Sequence, residues 1–441
     1  MAFADMKTKV PGPKSAELIG KWKQYEVDKL GFQVPVAIES GDGAILKDVD
    51  GNTYIDWTSG VIVTNVGHAH PVLVEAMHEA SKHILNIYEW CSQYRVKAAE
   101  DLVEAAPEQY DRCFFLSTGS EVTDCAARIM KRNTGRFEIV SFFGAFHGRT
   151  LSTSSMGGLK KQKLGMGPML PGSIRIPYPY CYRCPLHCTP GKCGFACISL
   201  YDDIVRANSC GSLAGFIGEL YQGAGGYVFP PEGFWKHMEE WIRSYGMLFT
   251  LDEVQSSYGR TGSMWAQEQE GIRPDITTVG KGIGGGAVVT ALLLKDSLVK
   301  DSMGPGDMGS TYGGNPVACA AVSAVLKIFR DEDIVRHVHD DLWPMFAERL
   351  PKLKELSPYV GDVRGRGCAW GIELVKDRQT KEPAPELARA LVLDLANHGL
   401  LTGIVGMYSN VIRVSPPLVM TVEQTDEALS ILERCVSAMR I

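Results

Sequence analysis

The sequence predicts an α/β fold: a mostly parallel sheet flanked by helices, followed by a smaller α+β domain at the C-terminal end. Three observations carry this. The apolar run Met247–Leu251 reads as a buried strand that delivers Asp252, a helical segment follows, and a second apolar run, Ile276–Val279, stops at Gly280-Lys281-Gly282. A short strand at Phe114 runs into Ser117-Thr118-Gly119-Ser120 and then into an amphipathic helix. From about Glu332, charged helices alternate with the short strands GDVRGRGCAWGIELV and NVIRVSPPL. Strands alternating with helices make a parallel sheet; short strands among helices make a separate small layer.

Taken in order, the first stretch to about Asp56 is polar and helical, then turns at Asp50-Gly51 as a hairpin, an arm rather than a domain. His68 and His70 are spaced i, i+2, which does not put both on one helical face, so capping and packing is the better reading than a metal. Residues 1–60 are expected to form the arm and part of the small domain, 61–331 the large domain, and 332–441 the small C-terminal one. A chain of 441 residues is long enough for such a division.

Composition excludes some function classes. With 45% apolar and 22% charged residues the chain reads as globular, and a net charge of −6 offers no basic face to nucleic acid or membrane. No apolar run approaches membrane-spanning length, and the N-terminus lacks the apolar core of a signal peptide, so a cytoplasmic location is expected.

Two consecutive strands of a parallel sheet put their C-terminal ends on one rim, where such sheets bind ligands. Asp252 and Lys281 would then share that rim. A carboxylate and an amine so held are what a pyridoxal phosphate site requires: the lysine forms the Schiff base, and the aspartate keeps the pyridine nitrogen protonated. Either residue alone has an ordinary explanation, as a helix cap or a solvated loop lysine; the pair and the glycines after it favour the site. The turn Thr118-Gly119-Ser120 at a helix start suits an anion, because free N–H groups and the helix dipole both attract a phosphate. A capping box with Glu121 fits the same residues. Phe146, at the end of the buried strand that begins at Glu138, is an aromatic that can stack on a pyridine ring, though a core position is the commoner fate. Arg413 is a candidate carboxylate clamp, with a surface or ion-paired role as the default.

Of twelve cysteines, seven are scattered; Cys181, Cys184, Cys188, Cys193 and Cys197 fall with His187 in the Pro/Gly-rich loop 178–198. C-x2-C followed by further thiols is compatible with a structural zinc or iron–sulfur site, with reduced thiols or an incidental disulfide as the other readings.

The pattern L-D-E-V-Q…G-R-T-G…K, fixing Asp252, Gln255, Arg260-Thr261-Gly262 and Lys281 in order, resembles the central signature of the class III (omega-amino-acid) aminotransferases. The resemblance spans about residues 35 to 435 and is nearest in motifs to the dialkylglycine decarboxylase and amino-acid epimerase branches. It implies a fold-type I pyridoxal phosphate enzyme, a homodimer with shared active sites. By the same match, Lys281 carries the cofactor, Thr118, Gly119 and Ser120 hold its phosphate, Phe146 of the Phe146-His147-Gly148 motif covers one ring face, and Val254 lies under the other. Gln255 contacts the phenolic oxygen, Thr311 reaches the other subunit's phosphate, and Arg413 binds the substrate carboxylate. Glu219 is retained from the family's Glu-Pro-x-x-Gly-Glu, but Leu220 and Ala224 replace the proline and the second glutamate. Val61 stands where the decarboxylases have glutamine. With Ala224, Trp57, Tyr88, Trp90 and Phe146 it suits an open, uncharged substrate pocket, although aromatics at such spacings are commonly core.

The function implied is ping-pong transamination between a small amine or amino acid and an oxo acceptor. The alternatives are racemisation or epimerisation on the same scaffold, amino-sugar transamination in secondary metabolism, and a non-catalytic metal-binding protein built on the cysteine loop.

Overall fold

The computed structural model describes residues 2–29, 33–189 and 191–440. Two compact units are present: Val72–Glu332, and a unit in which Met1–Pro71 joins Asp333–Ile441. The N-terminal arm thus belongs to the small unit, and the division falls at Pro71 rather than at residue 60.

The larger unit is built on a seven-stranded sheet. Its strands run in the spatial order Arg112–Leu116, Thr290–Leu294, Ile276–Val279, Leu248–Asp252, Leu213–Glu219, Glu138–Phe142, Ser173–Ile176. Thr290–Leu294 is antiparallel to both neighbours, and the remaining pairs are parallel. Strands covered on both faces cannot alternate polar with apolar; all seven residues of Leu213–Glu219 are buried. Against one face packs the helix Gly119–Thr134, whose Val122, Ile129 and Met130 share a core with Ile217 and Leu292. An aromatic cluster fills another part of the core, with Phe142 edge-on to Phe216 at 5.0 Å and Trp235 stacked on Phe249 at 6.0 Å.

Two expectations are corrected. The segment after Asp252 is mostly turns, and its helix is only Ala266–Glu270. The reason is Glu253, which is fully buried and whose carboxylate accepts the amides of Ala266 and Gln267, both at 2.9 Å. That bond pulls the helix start downstream. The strand from Glu138 ends at Phe142, so Phe146 lies in the following loop.

In the small unit the expected hairpin forms between Ile45–Asp48 and Thr53–Asp56. Asp48 organises its turn: Oδ1 accepts the amides of Asp50 and Asn52 at 2.9 Å each, and Oδ2 accepts the Tyr54 hydroxyl at 2.7 Å. A second sheet runs Val360–Arg366, Ala369–Leu374, Val411–Val414, Gly403–Val405, antiparallel throughout.

Ser59, Gly60, Val61 and Ile62 form one left-handed turn, with φ of 46°, 56°, 68° and 66°. Left-handed geometry presses Cβ against the carbonyl oxygen and costs about 1–2 kcal/mol per non-glycine residue. Val61 is half exposed, so little packing offsets this cost. Val61→Gly is therefore expected to stabilise the protein by about 1 kcal/mol, measured by denaturant unfolding; a lower midpoint would show that the valine side chain makes a contact worth more than the strain.

Candidate active site

Three neighbouring strand ends converge. Glu219 pairs in register with Asp252, and Asp252 with Thr278. Asp252 is buried, and its oxygens are held from three directions. Oδ1 accepts the Thr278 hydroxyl and the Val254 amide, each at 3.1 Å, while Oδ2 lies 2.7 Å from His147 Nδ1. Lys281 follows Thr278 by three residues, opens the turn Lys281–Gly284 with φ of +48°, and is half-buried. Strain of that kind in a lysine marks a residue whose position the surrounding structure imposes. Acid and amine thus lie on one rim of adjacent parallel strands.

Glu219 accepts the amides of Phe146 at 2.9 Å and Gly223 at 3.2 Å, which ties the Phe146-His147 loop to the sheet edge. Burial, reinforced by the Asp252 charge, pushes its carboxyl up to about 7 although His147 opposes the shift. Burial works against a charge on His147 as well, but the bond to Asp252 and the charges of Asp252 and Glu219 outweigh it and raise its pKa. The far ring nitrogen, His147 Nε2, is buried without a hydrogen-bond partner among the described residues.

These shifts set a pH dependence. Between pH 4.5 and about 7 the unfolded chain has lost the Glu219 proton while the fold retains it, so stability falls as pH rises through that window. His147, raised above 6.5, adds a further loss above that value. Glu219→Gln is expected to flatten the fall by up to about 3 kcal/mol over the window, seen as melting temperature against pH. An unchanged slope would mean that Glu219 titrates normally.

At the start of helix Gly119–Thr134 the capping box is present: Thr118 Oγ1 accepts the Glu121 amide at 3.2 Å, and Glu121 Oε2 accepts the amides of Thr118 at 3.2 Å and Ser117 at 2.8 Å. The box uses the Glu121 amide, so the first-turn amides of Gly119 and Ser120 are the ones left for an anion. Gly119 borders open space. Gly148, at φ +138°, lets the loop press onto this turn; a Cβ there would meet Ser120 Oγ at 2.4 Å and Ser120 Cα at 2.9 Å. Cap and anion site are therefore compatible on the same residues. Gln255 Oε1 is buried without a partner among the described residues.

The remaining expected residues divide. In the small unit, Arg413 lies on strand Val411–Val414, with its guanidinium over Gly403 and a buried Nε that has no protein partner among the described residues. Val61 is half exposed. Trp57 is fully buried and stands edge-on to Phe346 at 6.0 Å, so the structure gives it to the core and not to a substrate surface. His68 bonds Asp56 at 2.8 Å, a structural pairing. In the large unit, Trp90 is 72% exposed and Thr311 is exposed, its carbonyl holding the Asn86 side chain at 2.9 Å.

The cysteine loop departs from its metal reading. All five thiols are free and line one pocket with Tyr178, Tyr180 and Phe195, but among the described residues no three of them gather within reach of a single ion. The chain spreads them around the wall, Cys181 in a 3-10 turn and Cys197 in the helix Ala196–Ser199. Burial pushes the Cys181 thiol up to about 11.

Sequence reasoning missed Thr278 as the group that orients Asp252 and His147 as its buried partner. Thr278 was legible only through strand register, and the His147 contact spans 105 residues.

A mixed seven-stranded sheet with a buried carboxylate and a lysine on its C-terminal rim, beside a helix start suited to phosphate, is the arrangement of a pyridoxal phosphate enzyme of fold type I. The chain belongs to the class III aminotransferases: the family model "Aminotransferase class-III" matches residues 27–436. It is 32% identical to an alanine/serine racemase of Pyrococcus horikoshii, over 99% of this chain and 93% of the relative. It is 33% identical to a probable 4-aminobutyrate aminotransferase of Bacillus subtilis, over 89% and 91%. Among solved structures, an ornithine aminotransferase from Toxoplasma gondii with partial occupancy of PLP at its active site aligns with a TM-score of 0.83 at 25% identity, covering 96% of this chain and 94% of that one. No helix among the described residues is long and apolar enough to cross a membrane.

Proposed function

We propose that Lys281 is the residue through which this aminotransferase holds pyridoxal phosphate, and that Asp252 is the partner of its ring nitrogen. The observation that carries this is the state of Asp252. Its carboxylate accepts three hydrogen bonds, from Thr278, Val254 and His147, and a carboxylate has about four lone-pair sites, so one remains for an N–H donor. When bound, the cofactor supplies an electron sink for the bond broken at the substrate's α-carbon. Gly119 and Ser120 would take its phosphate on their amides, with Thr118 as the cap. Gln255 would take its phenolic group, and Phe146 and Val254 would cover its faces, with Glu219 and His147 anchoring the loop beneath.

Lys281 Nζ then acts as the base that takes the proton from the substrate Cα and returns it. Asp252 would face the ring nitrogen and favour a proton there, and His147, 2.7 Å from its Oδ2, fixes the orientation of the carboxylate. Arg413 is assigned to the substrate carboxylate, because its buried Nε has no partner among the described residues and a planar guanidinium grips two oxygens at once. Val61 is assigned to the substrate side on its exposure. Tyr88, Trp90 and Thr311 are exposed in a single chain and suit burial in a homodimer, with Thr311 directed to the other subunit's phosphate. Twelve free thiols suit the reducing cytoplasm.

A second reading, racemisation, is favoured by the likeness to the alanine/serine racemase. Incubation with an amine donor and a 2-oxo acid separates the two. A donor-dependent oxo product supports transamination; loss of optical rotation without one supports racemisation. Arg413→Ala is expected to raise KM for carboxylate-bearing donors about 10–100-fold, as loss of a charged hydrogen bond of about 1.5–3 kcal/mol requires. A simple amine donor should be little affected, and an equal effect on both donor types would remove Arg413 from this role.

A further inference from the structure

Two helices of the small unit bring together three side chains that the transaminase site does not use. Asp394 stands near the end of helix Pro385–Asn397, His398 caps that end, and Cys435 projects from the terminal helix Val422–Ala438. His398 Nδ1 lies 3.4 Å from Asp394 Oδ1 and 3.6 Å from Cys435 Sγ, and the three ligand atoms all fall within 4.8 Å of one another. A tetrahedral ion with bonds of about 2.0–2.3 Å sets its ligands about 3.3–3.8 Å apart. The two measured edges fall inside that range without any movement of the chain.

We propose that Asp394, His398 and Cys435 form a binding site for a borderline-soft divalent cation of the zinc class, which staples the terminal helix to the helix before it. The donor set selects the ion: one sulfur, one nitrogen and one oxygen suit zinc or cobalt, whereas magnesium and calcium require oxygen throughout. Charge balances as well, because a carboxylate and a thiolate neutralise a dication. Cys435 is buried while Asp394 and His398 are about half exposed, so the sulfur anchors the ion from inside and water can complete the fourth position.

In the ion-free protein His398 Nδ1 also lies 2.9 Å from the Asp394 carbonyl, which the tautomer protonated at Nδ1 can bond. Binding requires the imidazole proton on Nε2 and expels the thiol proton of Cys435. The thiol proton therefore leaves for each ion bound. Only the Asp-x3-His spacing on one helix is visible in sequence; Cys435 joins from 37 residues away.

The test uses the full-length holoenzyme, with zinc in competition with a chromophoric chelator and cobalt as the spectroscopic probe. A background with serine at Cys181, Cys184, Cys188, Cys193 and Cys197 separates this site from the thiol-lined loop. In that background one zinc is expected to remain bound and to raise the melting temperature. His398→Ala, a half-exposed position whose loss spares the core, should weaken zinc by more than the ~10–100-fold that removing an outer-shell partner costs. Cys435→Ser should abolish the sulfur-to-metal absorption of the cobalt form, read as a difference from the zinc form so that cofactor bands cancel. Wild-type zinc affinity in His398→Ala, or loss of all tight zinc with the loop cysteines, would overturn the proposal. Transaminase activity does not enter these readouts, so the result stands apart from the assignment of Lys281.

Discussion

Lys281→Ala is expected to abolish turnover, with a fall of about 10⁴-fold or more, the upper range for losing a positioned acid–base group. The borohydride-sensitive absorption of the lysine-bound cofactor should vanish with it. The apoprotein should melt close to wild type, because the left-handed backbone at residue 281 is equally strained with alanine. Lys281→Arg should be nearly as inactive: a guanidinium cannot give up its proton in the working pH range. A variant that keeps the absorption band would require another amine to hold the cofactor, and the site assigned here would be abandoned.

The second large effect belongs to Asp252. Asp252→Asn keeps the shape and removes the charge. Turnover is expected to fall about 10²–10³-fold, the range for losing one preorganised electrostatic partner of the reacting group. His147 should lose its raised pKa in the same variant, because the Asp252 bond and charge are what hold it up; NMR titration of the imidazole reads this directly. Asp252→Ala should also cost stability, about 1–3 kcal/mol for each buried group left without its partner, the His147 ring and the Thr278 hydroxyl. If Asp252→Asn retained full activity, protonation of the ring nitrogen would not depend on this residue.

Lys281 and Asp252 were legible before any fold was known because both end apolar runs, and a parallel sheet puts such ends on one rim. The phosphate turn was legible for a similar reason: hydroxyl and glycine residues at a helix start leave amides free. Trp57 was misplaced because a large aromatic after a strand reads alike whether it faces a ligand or the core; only packing against Phe346 decides. The cysteine loop was left open between a metal site, reduced thiols and a disulfide, and the structure holds free thiols. Spacing fixes how far apart thiols lie along the chain, but not whether turns direct them to one point.

The chain by itself determined the α/β class, the family, the acid–lysine pair and the helix that takes the phosphate, because periodicity and turn chemistry are local properties. Tertiary structure decided the rest. It set His147 and Thr278 on Asp252, tied Glu219 to the Phe146 loop, buried an Arg413 nitrogen that has no partner among the described residues, and closed Asp394, His398 and Cys435 into one cluster. Apart from the Arg413 nitrogen, which is defined only by what surrounds it, each of these includes a contact between residues well separated in sequence. Burial then alters the charge of the groups so joined, and no window of neighbouring residues carries that information.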